Sequence, residues 1–91
     1  MLVVHKYLID PHDIVTAQMP ADARILAVQE QREMLCIWAL TDTAKPPMPR
    51  LFRIVRTGHP ADFAQKAVYV GTVQLRRGLL VLHVFDLGEP Q

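Results

Sequence analysis

Short stretches of apolar or alternating residues recur along the chain, and residues typical of turns separate them. Valine, isoleucine, tyrosine and phenylalanine dominate most of these stretches, and these residue types favour extended strands. The pattern predicts an all-β fold, a small antiparallel β-sandwich or barrel of about six to seven strands with at most a short helix. The predicted strands are Val3–Ile9, Ile14–Met19, Ile25–Gln29, Leu35–Leu40, Arg50–Thr57, Val68–Leu75 and Leu79–Leu87.

Four segments need a separate interpretation. Residues 29–40 begin with good helix formers, so a helix is the alternative to the hairpin loop and strand that we predict there. Residues 60–66 are predicted to form one short helix with proline in its first turn. The proline-rich residues 46–49 favour an extended connector, or else an arm laid on a neighbour. Gly78 supplies the positive φ of a tight turn between the last two strands.

The last predicted strand, Leu79–Leu87, carries apolar residues on both of its faces. A second sheet of the same chain covers one face, and a partner subunit is the natural cover for the other. The sequence therefore predicts a homo-oligomer, and the 51% share of hydrophobic residues in only 91 residues supports that expectation.

The length of the chain predicts a single domain over residues 1–91. A net charge of +1 argues against general coating of nucleic acids, which needs many phosphate contacts. No apolar stretch reaches the ~18 residues of a membrane span. The single cysteine, Cys36, fits a reducing compartment, and the first residues lack a signal-peptide pattern, so we expect a cytoplasmic protein.

The run of residues 50–60 is the most informative feature of the chain, because an arginine recurs at every third position of a predicted buried strand. Arg53 lies on one face of that strand, whereas Arg50 and Arg56 lie on the other. Buried arginine is rare unless it is paired. These cations therefore either pair with carboxylates of the chain or face an anionic ligand, whose oxygens match the guanidinium fork.

The corner formed by residues 56–60 is the best candidate for a ligand site. It joins Arg56 and the Thr57 hydroxyl to Gly58, which allows close backbone approach, and to His59. Pro60 could begin a helical turn whose N–H groups attract anions. A plain capped turn is the alternative interpretation.

Other reactive residues do not form a recognisable constellation. No histidine pair has metal-ligand spacing, so no metal and no cofactor are expected. Cys36 lies between apolar residues and is predicted to be a buried structural thiol, and His83 is predicted to be a satisfied core histidine. The chain contains no serine, and its carboxylates are scattered, so we expect no enzyme.

Five motifs together resemble an uncharacterised family of small proteins encoded in tailed-phage genomes and prophages. The resemblance covers most of the chain, and its most specific parts are the Thr-Gly-His-Pro corner and the Gly-Thr-Val-Gln strand. It implies a phage accessory protein that acts by binding, and no catalytic motif comes with it. The motifs are Val4-His5-Lys6-Tyr7, Leu35-Cys36-Ile37-Trp38-Ala39-Leu40, Arg53-Ile54-Val55-Arg56-Thr57-Gly58-His59-Pro60, Tyr69-Val70-Gly71-Thr72-Val73-Gln74 and Leu80-Val81-Leu82-His83-Val84-Phe85.

The arginine cluster and the apolar excess predict a non-catalytic protein that binds an anionic small molecule. The resemblance implies an anti-defence role for it, with a nucleotide immune signal as the ligand. An inhibitor that binds a host defence complex, as anti-CRISPR proteins do, and a virion assembly accessory are the alternatives. The predicted ligand-binding residues are Arg53, Arg56, Thr57, His59, Tyr69, Trp38, Arg76 and Arg77. The first four would hold phosphates, the next two would stack on a base, and the last two would come from a facing subunit.

Overall fold

The computed structural model describes residues 1–90 and contains seven β-strands. Two short 3₁₀ helices, Asp62–Lys66 and Arg76–Gly78, are its only helical elements within that range. The all-β prediction is therefore confirmed. The strands are β1 (Leu2–Ile9), β2 (Ile14–Pro20), β3 (Arg24–Gln31), β4 (Met34–Asp42), β5 (Pro47–Arg56), β6 (Val68–Leu75) and β7 (Leu80–Gly88).

The strands form two antiparallel sheets that pack face to face as a sandwich. The three-stranded sheet has the order β1-β4-β3, and the four-stranded sheet has the order β2-β5-β7-β6. Alternate residues of every strand point between the sheets and build one hydrophobic core. Phe52 on β5, Ile37 on β4 and Val84 on β7 are completely buried there.

The predicted hairpin over residues 29–40 is confirmed, and its helical alternative is wrong. Gln31 pairs with Met34 at the ends of β3 and β4, and the two turn residues Arg32 and Glu33 have φ values of 53° and 64°. The Glu30 carboxylate accepts a hydrogen bond of 2.7 Å from the Glu33 N–H, which stabilises this turn. The helix-forming residues thus form the end of β3 and a tight turn, because the two flanking strands are stabilised by burial of their own apolar residues.

The connector predicted at residues 46–49 is wrong, because β5 already begins at Pro47. Pro47 pairs with Pro20 and Pro49 with Gln18, both at positions where β2 and β5 exchange no backbone hydrogen bonds. On its other side, β5 meets β7 only from Leu51 onward. The missing proline N–H groups therefore cost no ladder hydrogen bond, which is why a strand tolerates them.

The connection between β5 and β6 crosses the outer face of the four-stranded sheet. It carries the predicted short helix, which the structure forms as the 3₁₀ helix Asp62–Lys66. Phe63 in this helix packs edge-on against Phe85 of β7, with ring centroids 5.2 Å apart. The chain itself therefore covers part of the apolar outer face for which the sequence predicted a partner subunit.

The two sheets approach each other most closely where β3 faces β6. A Cβ atom at Gly71 would lie 2.9 Å from Cγ1 of Val28, so any larger residue at this position would require Val28 or the backbone of β6 to shift. At the β6–β7 turn Gly78 has a φ of 88°, which confirms the predicted positive φ. Within residues 1–90, no helix has the length and apolar character that a membrane crossing requires.

Candidate functional site

Four chain connections meet at one end of the sandwich, which we call the cleft end. They are the β1–β2, β3–β4 and β6–β7 turns and the beginning of the β5–β6 connection. The strand pairing places them together, because Arg56 at the end of β5 pairs with Leu82 near the start of β7. The Glu33 carboxylate also accepts a hydrogen bond of 2.6 Å from the Arg76 N–H, which ties two of these turns to each other.

A cleft with a volume of ≈ 590 Å³ opens at this end. This volume lies in the range of small-molecule sites. The cleft runs along the edge of β5 beyond Arg53, which pairs with Ile14, the first residue of β2. Its lining residues are Pro11, His12, Asp13, Arg53, Ile54, Val55, Arg56, His59, Pro60 and Leu82.

The backbone of β5 also presents a donor to this cleft. The Ile54 N–H donates to the Asp13 carbonyl at 2.9 Å, which is the last bond on this side of the strand. Arg56 lies two residues further on, so its N–H points to the same side, where no strand follows. The carbonyl of Arg56 accepts a hydrogen bond of 3.1 Å from the His59 N–H, which holds the corner closed.

The three arginines of β5 have different surroundings. The side chain of Arg50 is 13% exposed and is paired with Asp86, as the pairing alternative predicted. Within residues 1–90, Arg53 and Arg56 form no ion pair with a carboxylate of the chain. Both line the cleft. The guanidinium of Arg53 lies 4.5 Å from the ring centroid of Phe63, a cation–π contact that positions it on the cleft wall.

The pair of Arg50 and Asp86 accounts for the one arginine that points into the core. Nε and Nη2 of Arg50 donate to the two carboxylate oxygens of Asp86 at 2.9 and 2.7 Å. Nη1 donates to the Ala23 carbonyl at 2.6 Å. The hydrogen bond to Asp86 raises the pKa of Arg50 above its ordinary value, so this side chain stays charged. Its role is structural.

His59 lines the cleft as predicted, whereas Thr57 does not. His12 and Asp13 of the β1–β2 turn complete the cleft wall, and nothing in the sequence pattern indicated a role for them. The pairing of Ile14 with Arg53 and the hydrogen bond from the Ile54 N–H to the Asp13 carbonyl bring this turn beside β5. That register is a long-range property, and no local sequence signal could have indicated it.

Thr57 belongs to a chain of hydrogen-bonded side chains on the outer face of the four-stranded sheet. Its hydroxyl lies 2.6 Å from Nε2 of His83, and Nδ1 of His83 lies 2.9 Å from the Thr72 hydroxyl. The Tyr69 hydroxyl lies 2.6 Å from the same Thr72 oxygen. His83 is thus satisfied as predicted, but it lies half-buried on the outer face and not in the core.

Neither predicted base-stacking residue lines the cleft. Tyr69 packs against Phe85 on the outer face, with ring centroids 5.6 Å apart. Trp38 lies on β4, in the other sheet, beside Lys6 of β1, whose Nζ is 5.8 Å from the ring centroid. Trp38 therefore lies in a different sheet from Arg53 and Arg56 and is not a lining residue of their cleft.

Arg76 and Arg77 lie in the β6–β7 turn, at the cleft end but outside the cleft lining. Both have left-handed backbone conformations, with φ values of 52° and 57°. Leu79, directly after this turn, is 88% exposed. The contribution of Arg76 and Arg77 to a ligand site of a facing subunit stays a prediction.

Other candidate chemistry is sparse in the described part of the chain. Residues 1–90 contain no group of three histidine, cysteine or acidic side chains placed to hold a metal ion. Cys36 is completely buried, as predicted for a structural thiol. The cleft therefore offers cations, histidines and a backbone donor, which is a set of groups suited to binding an anion.

Comparison with known proteins gives one family. A family described as "Domain of unknown function (DUF7352)" matches the chain over residues 1–91. Neither the curated proteins nor the solved structures give a match.

Proposed function

We propose that this chain, which belongs to the DUF7352 family, binds an anionic, phosphate-bearing small molecule in the cleft at the end of β5. The proposal includes no catalytic step. The observation that supports it most is that Arg53 and Arg56 line one cleft and form no ion pair within residues 1–90. Arg50, on the same strand, has a carboxylate partner and is therefore not available to a ligand.

The electrostatic balance of the cleft favours an anion. The cleft is lined by two arginines and by a single acidic residue, Asp13, so the summed charge of its lining residues is positive even with its histidines neutral. The Arg56 N–H adds a backbone donor, and Arg53 is held in place by Phe63. Fixed donors bind an anion more tightly than mobile ones because less side-chain entropy is lost.

The shape of the site narrows the ligand class. With Trp38 and Tyr69 outside the cleft, a nucleotide would be held by its phosphates and ribose, with little selection of the base. We therefore propose a nucleotide or a related phosphate ester and expect similar affinities for different bases. The Thr57 hydroxyl, which is hydrogen-bonded to His83, is not part of this proposal.

The resemblance to small tailed-phage proteins supplies the biological setting of the proposal. In that setting the protein would act in the cytoplasm of the host cell and sequester a nucleotide immune signal. A protein that sequesters its ligand needs a binding site, and the cleft with its arginines would supply one.

Isothermal titration calorimetry with inorganic pyrophosphate, ADP and a cyclic dinucleotide tests the proposal. We expect binding of at least one probe, and we expect Arg53→Ala and Arg56→Ala each to weaken it about tenfold to a hundredfold. Arg24→Ala is the matched control, because Arg24 is an exposed arginine at the opposite end of the other sheet. The absence of heat with all three probes, or equal losses in all three variants, would refute the proposal.

A protein-binding inhibitor is the second candidate, and the β6–β7 turn is the observation that favours it. This turn presents Arg76, Arg77 and the 88% exposed Leu79 on a hairpin tip. Exposed apolar and arginine side chains are typical anchors of protein interfaces. An affinity pull-down from host lysate, with Leu79→Asp as the control, should then recover one stoichiometric partner that the variant loses.

A further inference from the structure

Strand β1 has an open edge. It is an outer strand of the three-stranded sheet, and its register with β4 runs without interruption from Leu2 to Ile9. The strand contains no proline and no bulge, and Lys6 is its only charged side chain apart from His5 when protonated. Long flat edges of this kind are unusual in monomers, because their unpaired backbone groups accept a further strand.

The other outer strands of the described chain are protected. β3 and β6 face each other across the sandwich, where Gly71 fits closely against Val28, and both carry a register shift. β2 ends in Pro20, which has no N–H to offer. These are the devices by which proteins prevent edge pairing, and β1 lacks them.

Apart from Ile9, which is buried, the side chains of β1 are also exposed or half-buried on both faces of the strand. On the outer face Leu2, Val4 and Leu8 are 65%, 54% and 53% exposed. On the opposite face, which points toward the second sheet, His5 is exposed and Tyr7 is only half-buried. The strand thus projects beyond the cover that its own chain provides.

The backbone geometry identifies which groups are open. The Thr43 N–H donates to the Met1 carbonyl at 2.9 Å, so the odd-numbered residues of β1 direct their backbone groups toward β4. Because backbone directions alternate along a strand, the even-numbered residues point outward. The open donors and acceptors therefore belong to Leu2, Val4, Lys6 and Leu8.

We propose that β1 pairs antiparallel with β1 of a second copy of this chain, about a two-fold axis at His5. Even-numbered residues must pair with even-numbered residues, since only these direct N–H and C=O groups outward. The register centred on His5 places Leu2 opposite Leu8 of the partner subunit and Val4 opposite Lys6 of the partner subunit. It alone pairs every open backbone group between Leu2 and Leu8.

The charge pattern selects the same register. A shift that centres the pairing on Lys6 would place two lysines directly opposite each other, which is destabilising. A shift that centres it on Val4 leaves Leu8 without a partner. The register at His5 instead lays the stem of Lys6 beside Val4 of the partner subunit and joins the apolar ends of the two strands.

The resulting dimer joins the two three-stranded sheets into a continuous sheet. Because the strands are antiparallel, the two clefts lie at opposite ends of the dimer. Arg76 and Arg77 of the partner subunit are then remote from the cleft, so this dimer gives them no role in the same site. The inference is independent of anion binding, because no cleft residue lies on β1.

Disulfide trapping tests the register directly. At a two-fold axis in a non-hydrogen-bonded pair the Cα atoms are about 4.5 Å apart, which a disulfide can span. We expect oxidised His5→Cys to form a covalent dimer, and Val3→Cys to form one only when mixed with Tyr7→Cys. Cys36 is completely buried and should not interfere. Trapping of Val3→Cys alone, or none in His5→Cys, overturns the register.

Sedimentation equilibrium tests the dimer without cysteine chemistry. Val4→Glu places a carboxylate opposite Lys6 of the partner subunit, whereas Val4→Lys places a like charge there. We expect dimer affinities that differ by about tenfold or more, with Val4→Glu the tighter. Val4→Pro removes an outward N–H and should give a monomer with unchanged circular dichroism. A wild-type monomer at every concentration, or equal behaviour of the two charge variants, overturns the proposal.

Discussion

Arg50 on β5 and Asp86 on β7 form a bidentate ion pair within the core side of the sandwich, with donor–acceptor distances of 2.9 and 2.7 Å. The side chains are only 13% and 9% exposed. Oδ1 of Asp86 also accepts a hydrogen bond of 2.8 Å from the Gly88 N–H. The pair therefore joins two strands and the end of β7 in one polar network.

Removing one partner of this pair should destabilise the fold. We expect Arg50→Ala and Asp86→Ala each to lower the free energy of unfolding by about 2–4 kcal/mol, because each leaves a buried charge without its partner. Urea denaturation measures this. The double variant Arg50→Ala/Asp86→Ala should lose less than the sum of the two single losses. Strict additivity would show that the two side chains do not interact.

Gly71→Ala should destabilise the protein by about 1–2 kcal/mol, since the added methyl group would lie 2.9 Å from the rigid Cγ1 of Val28. The companion variant Val28→Ala removes that atom. In the background of Val28→Ala, the change at Gly71 should therefore cost much less, which thermal denaturation of the four proteins will show. An equal loss of stability in the wild-type and Val28→Ala backgrounds would show that the contact with Val28 is not the source of the strain.

Arg77→Gly should stabilise the fold by about 0.5–1 kcal/mol, because Arg77 has a left-handed conformation with φ of 57° that glycine adopts without strain. Unfolding in guanidinium chloride is the measurement. Arg32→Gly is the matched comparison, because Arg32 has a φ of 53° in the β3–β4 turn. A loss of stability in both variants would show that side-chain contacts outweigh the backbone strain.

Thr57→Val should separate stability from ligand binding. The hydroxyl of Thr57 is hydrogen-bonded to His83 and lies outside the cleft, so its loss should cost about 0.5–1.5 kcal/mol of stability. Pyrophosphate affinity should stay within about twofold of the wild type. Calorimetric titration and urea denaturation of the same sample measure both quantities. A large loss of affinity at unchanged stability would assign Thr57 to the ligand.

The sequence predicted the strands well because each buries a local, alternating pattern of apolar residues. The segment 68–75 has the bounds that the pattern indicated, and β7 differs by one residue at each end. The start of β5 was predicted wrongly because it contains prolines. A strand can contain these prolines only where the neighbouring strand needs no hydrogen bond from their backbone nitrogen, and this depends on which strand is the neighbour. That information lies in strand order, which composition and periodicity do not contain.

The candidate site was predicted in part. Arg53, Arg56 and His59 line the cleft, because the end of one strand and the following turn are close in sequence as well as in space. His12 and Asp13 were missed, since the pairing of distant strands decides their positions. The stacking role of Trp38 stays a prediction, and its place on β4 in the other sheet follows from the same long-range pairing. Which arginine of the run is paired could not be predicted either, because Asp86 lies 36 residues away from Arg50.

The strand order β2-β5-β7-β6 has a consequence for how the chain acquires its fold. β7 lies between β5 and β6 and pairs with both. Neither β5 nor β6 therefore has this common partner until β7, the last strand of the sheet, has been synthesised. On the ribosome, residues 47–75 can form local turns but no continuous four-stranded layer. Folding of this layer should therefore be a late event that follows the release of residues 80–88 from the exit tunnel.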